Sequence, residues 1–181
     1  ISSGPLILSI FGILVIGVLT LTVVVPTVLI TQFQVSVTYM IAFSLILTGP
    51  IQLSFTRFVS DRLFEKRDDL VLPNYHAMLL VTTLMAGAFS TAVMLLGFRD
   101  QSLQYRILMV AGFVIVSNIW IAVIFLSSVK QYWQILASFA IGYTFVVVLA
   151  LAFAHHGLTG LLGGFVVGHW VLLLCLSALV H

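Results

Sequence analysis

The chain has 181 residues, of which 62% are hydrophobic and 7% are charged, with a formal net charge of +2 and a mean hydropathy of +1.27. A soluble domain carries about 25% charged residues, so this composition excludes a soluble fold, a disordered chain and a nucleic-acid-binding protein. We therefore expect an all-α integral membrane protein.

Charged residues divide the sequence into apolar blocks. Four blocks contain no charge: residues 1–56, 70–98, 107–129 and 131–181. A bilayer-spanning helix needs about 20 apolar residues, so the two shorter blocks hold one span each and the two longer ones must hold two spans and a turn. Short polar stretches supply the expected breaks, at Thr31-Gln32-Phe33-Gln34 and at Ala154-His155-His156-Gly157.

The pattern thus predicts one six-transmembrane-helix bundle over residues 1–181. The expected helices cover about 5–30, 36–58, 74–97, 107–128, 133–154 and 158–180. The chain opens on Ile1 and stops one residue after an apolar run, which suggests a piece of a longer polypeptide. Its first apolar run is too long for a signal peptide, so we expect this run to stay in the membrane.

The basic residues predict the orientation in the membrane. Five of them fall in the loops after the second and fourth helices: Arg57, Arg62, Lys66, Arg67 and Lys130. The loop after the third helix carries Arg99 and Arg106. Cytoplasmic loops are enriched in Lys and Arg, so we expect both ends of the chain in the cytoplasm. The single Cys175 excludes an intramolecular disulfide.

Glycine and proline mark possible helix contacts and kinks. Gly160, Gly164 and Gly168 form two overlapping GxxxG steps, which favour a tight helix contact in a bilayer. A hinge at Gly164 and Gly168 for a moving helix is the alternative interpretation. In the second helix, Gly49-Pro50 predicts a kink near mid-membrane, because proline removes a backbone hydrogen bond.

Polar residues in the second helix recur every four positions, at Ser44, Thr48, Gln52 and Thr56. Ser and Thr can bond to their own helix backbone, so ordinary packing is one interpretation of this stripe. Gln52 is different, because a primary amide has four hydrogen-bonding sites and cannot satisfy them all locally. Amides suit sugar hydroxyls, so the alternative interpretation is a substrate path that includes Thr48 and Gln52.

Two further spans carry isolated polar groups. Asn118 lies near the centre of the fourth helix, and it could either form a contact between helices or line a substrate path. His169 lies mid-span in the sixth helix, where a lone histidine is more often a structural hydrogen-bonding group; Tyr143 is a weaker candidate. All acidic residues fall in loops, which excludes ion coupling through a buried carboxylate and leaves His169 as the one span-centre group that titrates near neutral pH.

Enzyme and metal chemistry are not expected. His76 and His155-His156 are predicted at opposite membrane faces and no carboxylate accompanies them, so the histidines do not fit a metal site. The sequence contains no Gly-rich phosphate loop, no Ser-His-Asp set and no CxxC motif. We expect no catalytic residue, no metal and no cofactor.

The stretch from Leu47 to Asn74, LTGPIQLSFTRFVSDRLFEKRDDLVLPN, together with the initial ISSGP, resembles the Pel exopolysaccharide exporter family with its PelG-type membrane subunit. That family resembles a branch of the MATE and polysaccharide flippase (MOP) superfamily, in which two six-helix bundles surround a central cavity. The resemblance implies that this chain is the N-terminal half of a twelve-helix transporter.

The resemblance also implies a function. It indicates a multi-pass protein of the inner membrane of a biofilm-forming Gram-negative bacterium, which passes an N-acetylgalactosamine-rich exopolysaccharide from the cytoplasm to the periplasm. The implied partners are a cytoplasmic glycosyltransferase and other membrane subunits, including a cyclic-di-GMP receptor. Drug antiporters of the superfamily often use a buried carboxylate in this bundle; its absence here puts ion-driven export in doubt and favours polymer synthesis as the energy source.

From these patterns we expect the path to be lined by Thr48, Gln52 and Asn118, with His169 as a weaker fourth residue. The basic cluster of Arg57, Arg62, Lys66 and Arg67 is either a topology signal or a docking site for a synthase. A lipid-linked oligosaccharide flippase is an alternative, although no Lys or Arg lies at a span centre to bind pyrophosphate. The other alternative is a membrane anchor for a synthase that transports no polymer.

Overall fold

Apolar segments of this length become helices, because a backbone in lipid must satisfy its own hydrogen bonds. The computed structural model describes residues 3–20, 26–67 and 70–180. Its helices are α1 (Ser3–Thr20), α2 (Thr27–Phe64), α3 (Val71–Gly97), α4 (Leu103–Ser128), α5 (Tyr132–Phe153) and α6 (Gly157–Ala178), with a 3₁₀ turn at Ala154–His156. The predicted all-helical class is confirmed for the described part of the chain.

Four helical stretches in these ranges are long and apolar enough to cross a membrane: Thr27–Arg62, Val71–Gly97, Leu103–Ser128 and Tyr132–Ala178. The last stretch includes both α5 and α6. Leu6–Leu19 is a shorter apolar helix. Length and composition thus support a multi-pass membrane protein, while the count of six crossings stays a prediction.

The predicted break at Thr31-Gln32-Phe33-Gln34 is wrong, because α2 already begins at Thr27 and runs through these residues. Phe33 is fully buried in the bundle, and the Gln32 carbonyl accepts a hydrogen bond from the Ser36 hydroxyl one turn later. The start of α2 instead follows Pro26, a residue that favours the first turn of a helix. The predicted end of the first helix at residue 30 is therefore wrong, because residues 27–30 belong to α2. Residues 21–25 lie outside the described ranges.

α2 also extends six residues beyond its predicted end, from position 58 to Phe64. Its 38 residues correspond to about 57 Å, almost twice the roughly 30 Å of bilayer hydrocarbon. The extra turns carry charged residues, including Arg62, which forms an ion pair with Glu65 three positions later. A helix of this length is longer than a single crossing requires, so part of α2 would extend beyond the hydrocarbon core of a bilayer.

The second predicted break is confirmed at Ala154–His156, where a 3₁₀ turn separates α5 from α6. Gly157 follows with a φ of 69°, a left-handed conformation that glycine adopts without steric cost. The chain reverses there, so α5 and α6 lie antiparallel. In the described part of the chain they pack more extensively on each other than any other pair of helices does.

α4 forms the centre of the bundle and packs against α2, α3 and α6, whereas α1 packs mainly against α5. Every residue from Val116 to Val123 is buried, as expected for a helix that is apolar on all sides. α4 packs closely at Gly112, where Met40 of α2 and Val166 of α6 would crowd an added Cβ. α3 lies at the edge, with most of its apolar surface exposed.

Candidate functional site

The polar stripe of α2 (Ser44, Thr48, Gln52 and Thr56) is a ladder of local hydrogen bonds. The Thr48 hydroxyl donates to the Ser44 carbonyl at 2.7 Å, and the Thr56 hydroxyl donates to the Gln52 carbonyl at 2.7 Å. The Gln52 amide Nε2 donates to Thr48 Oγ1 at 2.8 Å. Bonding within the helix is what the packing interpretation predicts for Ser and Thr.

Exposure increases along the same stripe. Ser44 and Thr48 have no exposed surface, Gln52 is half-buried, and Thr56 is exposed. The stripe therefore leads from the interior of the bundle to its surface. Pro50 lies inside α2, and a Cβ added at Gly49 would meet no atom within 4 Å, so the helix has free space on that side. The kink predicted there stays a prediction.

Asn118 joins α4 to α3. Its amide Nδ2 donates to Thr83 Oγ1 at 2.9 Å and to the Val114 carbonyl at 3.0 Å. Because a carbonyl can only accept, this contact fixes the orientation of the amide. The amide oxygen Oδ1 is buried and has no hydrogen-bond partner. Asn118 thus provides a contact between helices and also carries an unused acceptor.

His169 lies inside the bundle with 2% of its surface exposed. Its Nδ1 lies 2.9 Å from the Phe165 carbonyl and its Nε2 lies 3.3 Å from the Tyr143 hydroxyl. The carbonyl can only accept, so Nδ1 carries the proton of the neutral ring and Nε2 accepts from Tyr143. The Ser9 side chain also bonds to the Tyr143 hydroxyl. This chain of bonds joins α1, α5 and α6.

A small cavity lies beside this chain of bonds. Its volume is about 10 Å³, the lower limit for one water molecule. Its lining includes Ser9, Tyr143, His169 and Trp120 of α4. The Trp120 indole Nε1 donates to Ser44 Oγ at 3.0 Å. We refer to Ser9, Ser44, Trp120, Tyr143 and His169 together as the polar centre.

The polar centre contains residues that sequence reasoning missed. Ser9 and Trp120 were not predicted as functional or structural polar groups, and neither was Thr83, the partner of Asn118. A buried tryptophan needs an acceptor for its N–H, so Trp120 in a charge-free block was a usable signal for a polar neighbour. Ser9 and Thr83 gave no such signal, because Ser and Thr are common at any helix contact in a bilayer.

A family model decides what kind of protein this is. The model described as "PelG: Putative exopolysaccharide Exporter (EPS-E)" matches residues 1–181, the whole of the chain. The chain belongs to the PelG family. No significant match was found among curated proteins, and none among solved structures. This match confirms the resemblance carried by the segment from Leu47 to Asn74. PelG is a family of exopolysaccharide exporters and not an enzyme family.

In this PelG-family chain the four predicted path residues contact different partners. Thr48 and Gln52 bond to each other in α2, Asn118 contacts α3, and His169 belongs to the polar centre. Their proposed contact with a substrate stays a prediction. Among the described residues, no three His, Cys, Asp or Glu side chains lie close enough to hold a metal ion.

The basic cluster of Arg57, Arg62, Lys66 and Arg67 lies where α2 ends. The Arg62 guanidinium bonds to Glu65 and lies 5.3 Å from the centre of the Phe58 ring. The other three side chains of the cluster are exposed. Whether this cluster is a topology signal or a docking site for a synthase stays a prediction.

Proposed function

We propose that this PelG-family chain carries a Pel-like, N-acetylgalactosamine-rich exopolysaccharide from the cytoplasm to the periplasm during production of a biofilm matrix. The observation that supports this most directly is the family match over residues 1–181. A neutral polysaccharide is bound by amides, hydroxyls and aromatic faces, and these are the polar groups that the helices offer.

The proposed architecture is a bundle of six crossings, which forms the N-terminal half of a twelve-helix MOP or MATE-like transporter. The antiparallel arrangement of α5 and α6 supports two crossings within Tyr132–Ala178, since each helix has 22 residues and is therefore about 33 Å long. The excess of basic residues near the ends of α2 and α4 supports an inner-membrane location with both ends of the chain in the cytoplasm.

The proposed path runs along the surface of the bundle, because the polar centre has room for only about one water molecule. Gln52 is the best-placed residue, being half-buried and adjacent to the exposed Thr56. In a two-bundle transporter this surface would face the second bundle across the cavity. Thr48, Asn118 and His169 are buried here, so each would reach a polymer only after the helices move.

Polymer synthesis is the proposed source of energy, since the described helices offer no acidic side chain within the membrane to bind a coupling ion. A glycosyltransferase would then have to dock on the cytoplasmic side. The long α2 and the basic cluster at its end support such a contact, together with contacts to other membrane subunits, including a cyclic-di-GMP receptor.

The same extension of α2 favours a second candidate function, in which the chain anchors a polysaccharide synthase without carrying the polymer. The two functions differ in what Gln52 does. In an anchor Gln52 affects only stability, whereas in an exporter its amide touches the polymer and its removal must affect export directly.

Gln52→Leu in the full-length protein, expressed in a polymer-producing strain, separates the two. We expect secreted polymer to fall several-fold while the amount of protein in the membrane is unchanged. Ser54→Ala is the matched control, because Ser54 is exposed and donates only to the Pro50 carbonyl. Equal losses of polymer and protein, or normal secretion by Gln52→Leu, would support the anchor.

The number of crossings has its own test. In a Cys175→Ala version of the full-length protein, a single cysteine at His155 should react from the periplasm with a membrane-impermeant thiol reagent. A single cysteine at Lys130 should react only after the membrane is permeabilised. Reaction of both cysteines from the same side would contradict two crossings within Tyr132–Ala178.

A further inference from the structure

An apolar groove lies between α3 and α4 at the end where α3 stops and α4 begins. Its volume is about 330 Å³. Its lining includes Thr91, Met94 and Leu95 of α3, and Arg106, Val110 and Ala111 of α4. Apart from Thr91 and Arg106 these side chains are apolar, so the groove offers hydrocarbon contact along its length.

The groove has the dimensions of one lipid leaflet. From Leu103 to Ala111 the helix rises about 12 Å, against roughly 15 Å for half of the hydrocarbon core. Both helices belong to stretches that are able to cross a membrane, and the groove opens on their surface. In a bilayer crossed by α3 and α4, the groove would therefore face lipid along its depth and the headgroup region at its end.

The headgroup end is cationic. Arg106 lies in the first turn of α4 and is half-buried, and its Nε is buried without a hydrogen-bond partner. Among the described residues Arg62 forms an ion pair with Glu65, whereas Arg106 forms none, so no carboxylate neutralises its charge. A guanidinium group without an ion-pair partner is complementary to a phosphate, which it can bind with two parallel hydrogen bonds.

We propose that this groove binds one anionic phospholipid, with an acyl chain against Met94, Val110 and Ala111 and its phosphate on Arg106. The lipid belongs to the leaflet on the side of the loop between α3 and α4, which is the periplasmic leaflet in the orientation proposed above. The bound lipid completes the outer surface of α3, the least buried of the long helices, and supplies the partner that the Arg106 Nε lacks.

Native mass spectrometry of the purified, delipidated full-length protein tests this, with phosphatidylglycerol as the titrated lipid. We expect one lipid to bind before all others, and Arg106→Gln to weaken that binding about fivefold, the effect of one basic residue at an anionic membrane surface. Arg106→Lys keeps the charge and should retain most of the binding. Ala111→Phe fills the groove and should weaken binding with the charge intact.

Arg99→Gln is the matched control. Arg99 lies in the loop between α3 and α4, but it is exposed, its Nε donates to the Leu95 carbonyl and it does not line the groove. Its replacement should leave lipid binding unchanged, and excess inorganic phosphate should not displace the lipid. Equal binding by the wild type and Arg106→Gln would overturn the proposal, as would displacement by phosphate alone, which would indicate an anion site without a lipid.

Discussion

Trp120 and Ser44 hold α4 and α2 together through one hydrogen bond inside the bundle. The indole Nε1 donates to Ser44 Oγ at 3.0 Å, and the Ser44 hydroxyl in turn donates to the Ile41 carbonyl at 2.8 Å. Ser44 therefore accepts and donates at once, and neither group is left unpaired. Both side chains are buried, so the two bonds lie away from bulk water.

Replacing Ser44 by alanine should destabilise the protein by about 1 to 2 kcal/mol, because the Trp120 N–H loses its acceptor in a buried site. The double variant Ser44→Ala with Trp120→Phe should cost less than the sum of the single changes, since no N–H remains unpaired. Thermal unfolding of the purified protein in detergent measures this. Strict additivity of the two losses would show that the hydrogen bond contributes nothing.

Two neighbouring glycines of α6 should respond differently to replacement by alanine. A Cβ at Gly164 would lie 2.5 Å from the Ala150 Cα, whereas a Cβ at Gly163 would meet nothing within 4 Å. Gly164→Ala should therefore force α5 and α6 apart and cost about 1 to 3 kcal/mol. Gly163→Ala should be neutral or stabilising by up to about 1 kcal/mol, because alanine favours the helix.

The midpoint of thermal unfolding distinguishes these two variants, and their rates of polymer export address the hinge predicted at Gly164 and Gly168. If the contact is purely structural, export by Gly164→Ala should fall only in proportion to the amount of folded protein. A larger loss of export than of folded protein would support a moving helix. Equal unfolding midpoints for the two variants would contradict the close contact.

Two lysines adopt the left-handed conformation that glycine prefers. Lys130 has a φ of 64° and comes after α4, and Lys66 has a φ of 56° and comes after α2. At Lys130 the helix end is closed by hydrogen bonds from the Lys130 N–H to the Ser127 carbonyl and from the Gln131 N–H to the Leu126 carbonyl. Glycine is the usual residue at this position of a helix end.

Lys130→Gly should therefore stabilise the protein by about 1 kcal/mol, because it removes the steric cost of a Cβ in this conformation. Lys130→Ala removes the same charge but keeps the Cβ, so it should give no gain. Unfolding midpoints of the two variants provide the comparison. Equal stabilisation by alanine would assign the effect to the charge instead of to the backbone.

The helical class was predictable from the sequence because it depends only on the length of the apolar stretches between charges. Gly157 likewise marked the turn before α6. Features that depend on packing were harder to predict. The turn predicted at Thr31 to Gln34 was wrong because polar residues in a bilayer protein can indicate either a turn or a helix contact. Here Gln34 lies against Gly17 of α1, so its polarity serves a contact between two helices.

The candidate site was predictable in its residue types more than in its arrangement. Thr48 and Gln52 are four residues apart on one helix, so their contact is a consequence of helical geometry. The partners of Asn118 and His169 come from other helices. Which faces meet cannot be derived from an apolar sequence, because lipid-facing and protein-facing residues are equally hydrophobic in a membrane.

Asn118 and Thr83 test whether that contact serves packing or transport. Thr83→Val removes one hydrogen bond but leaves the Asn118 amide bonded to the Val114 carbonyl, so stability should fall by only about 0.6 kcal/mol. Asn118→Leu should cost little more, because it also removes the buried Oδ1 that has no partner.

If Asn118 contacts the polymer, Asn118→Leu should reduce secretion several-fold while Thr83→Val secretes normally, with equal amounts of both proteins in the membrane. The reason is that the unused Oδ1 acceptor is lost in the first variant and kept in the second. Secreted polymer, normalised to protein abundance in matched strains, is the measurement. Equal losses in both variants would instead assign Asn118 to the contact between α3 and α4 and remove it from the proposed path.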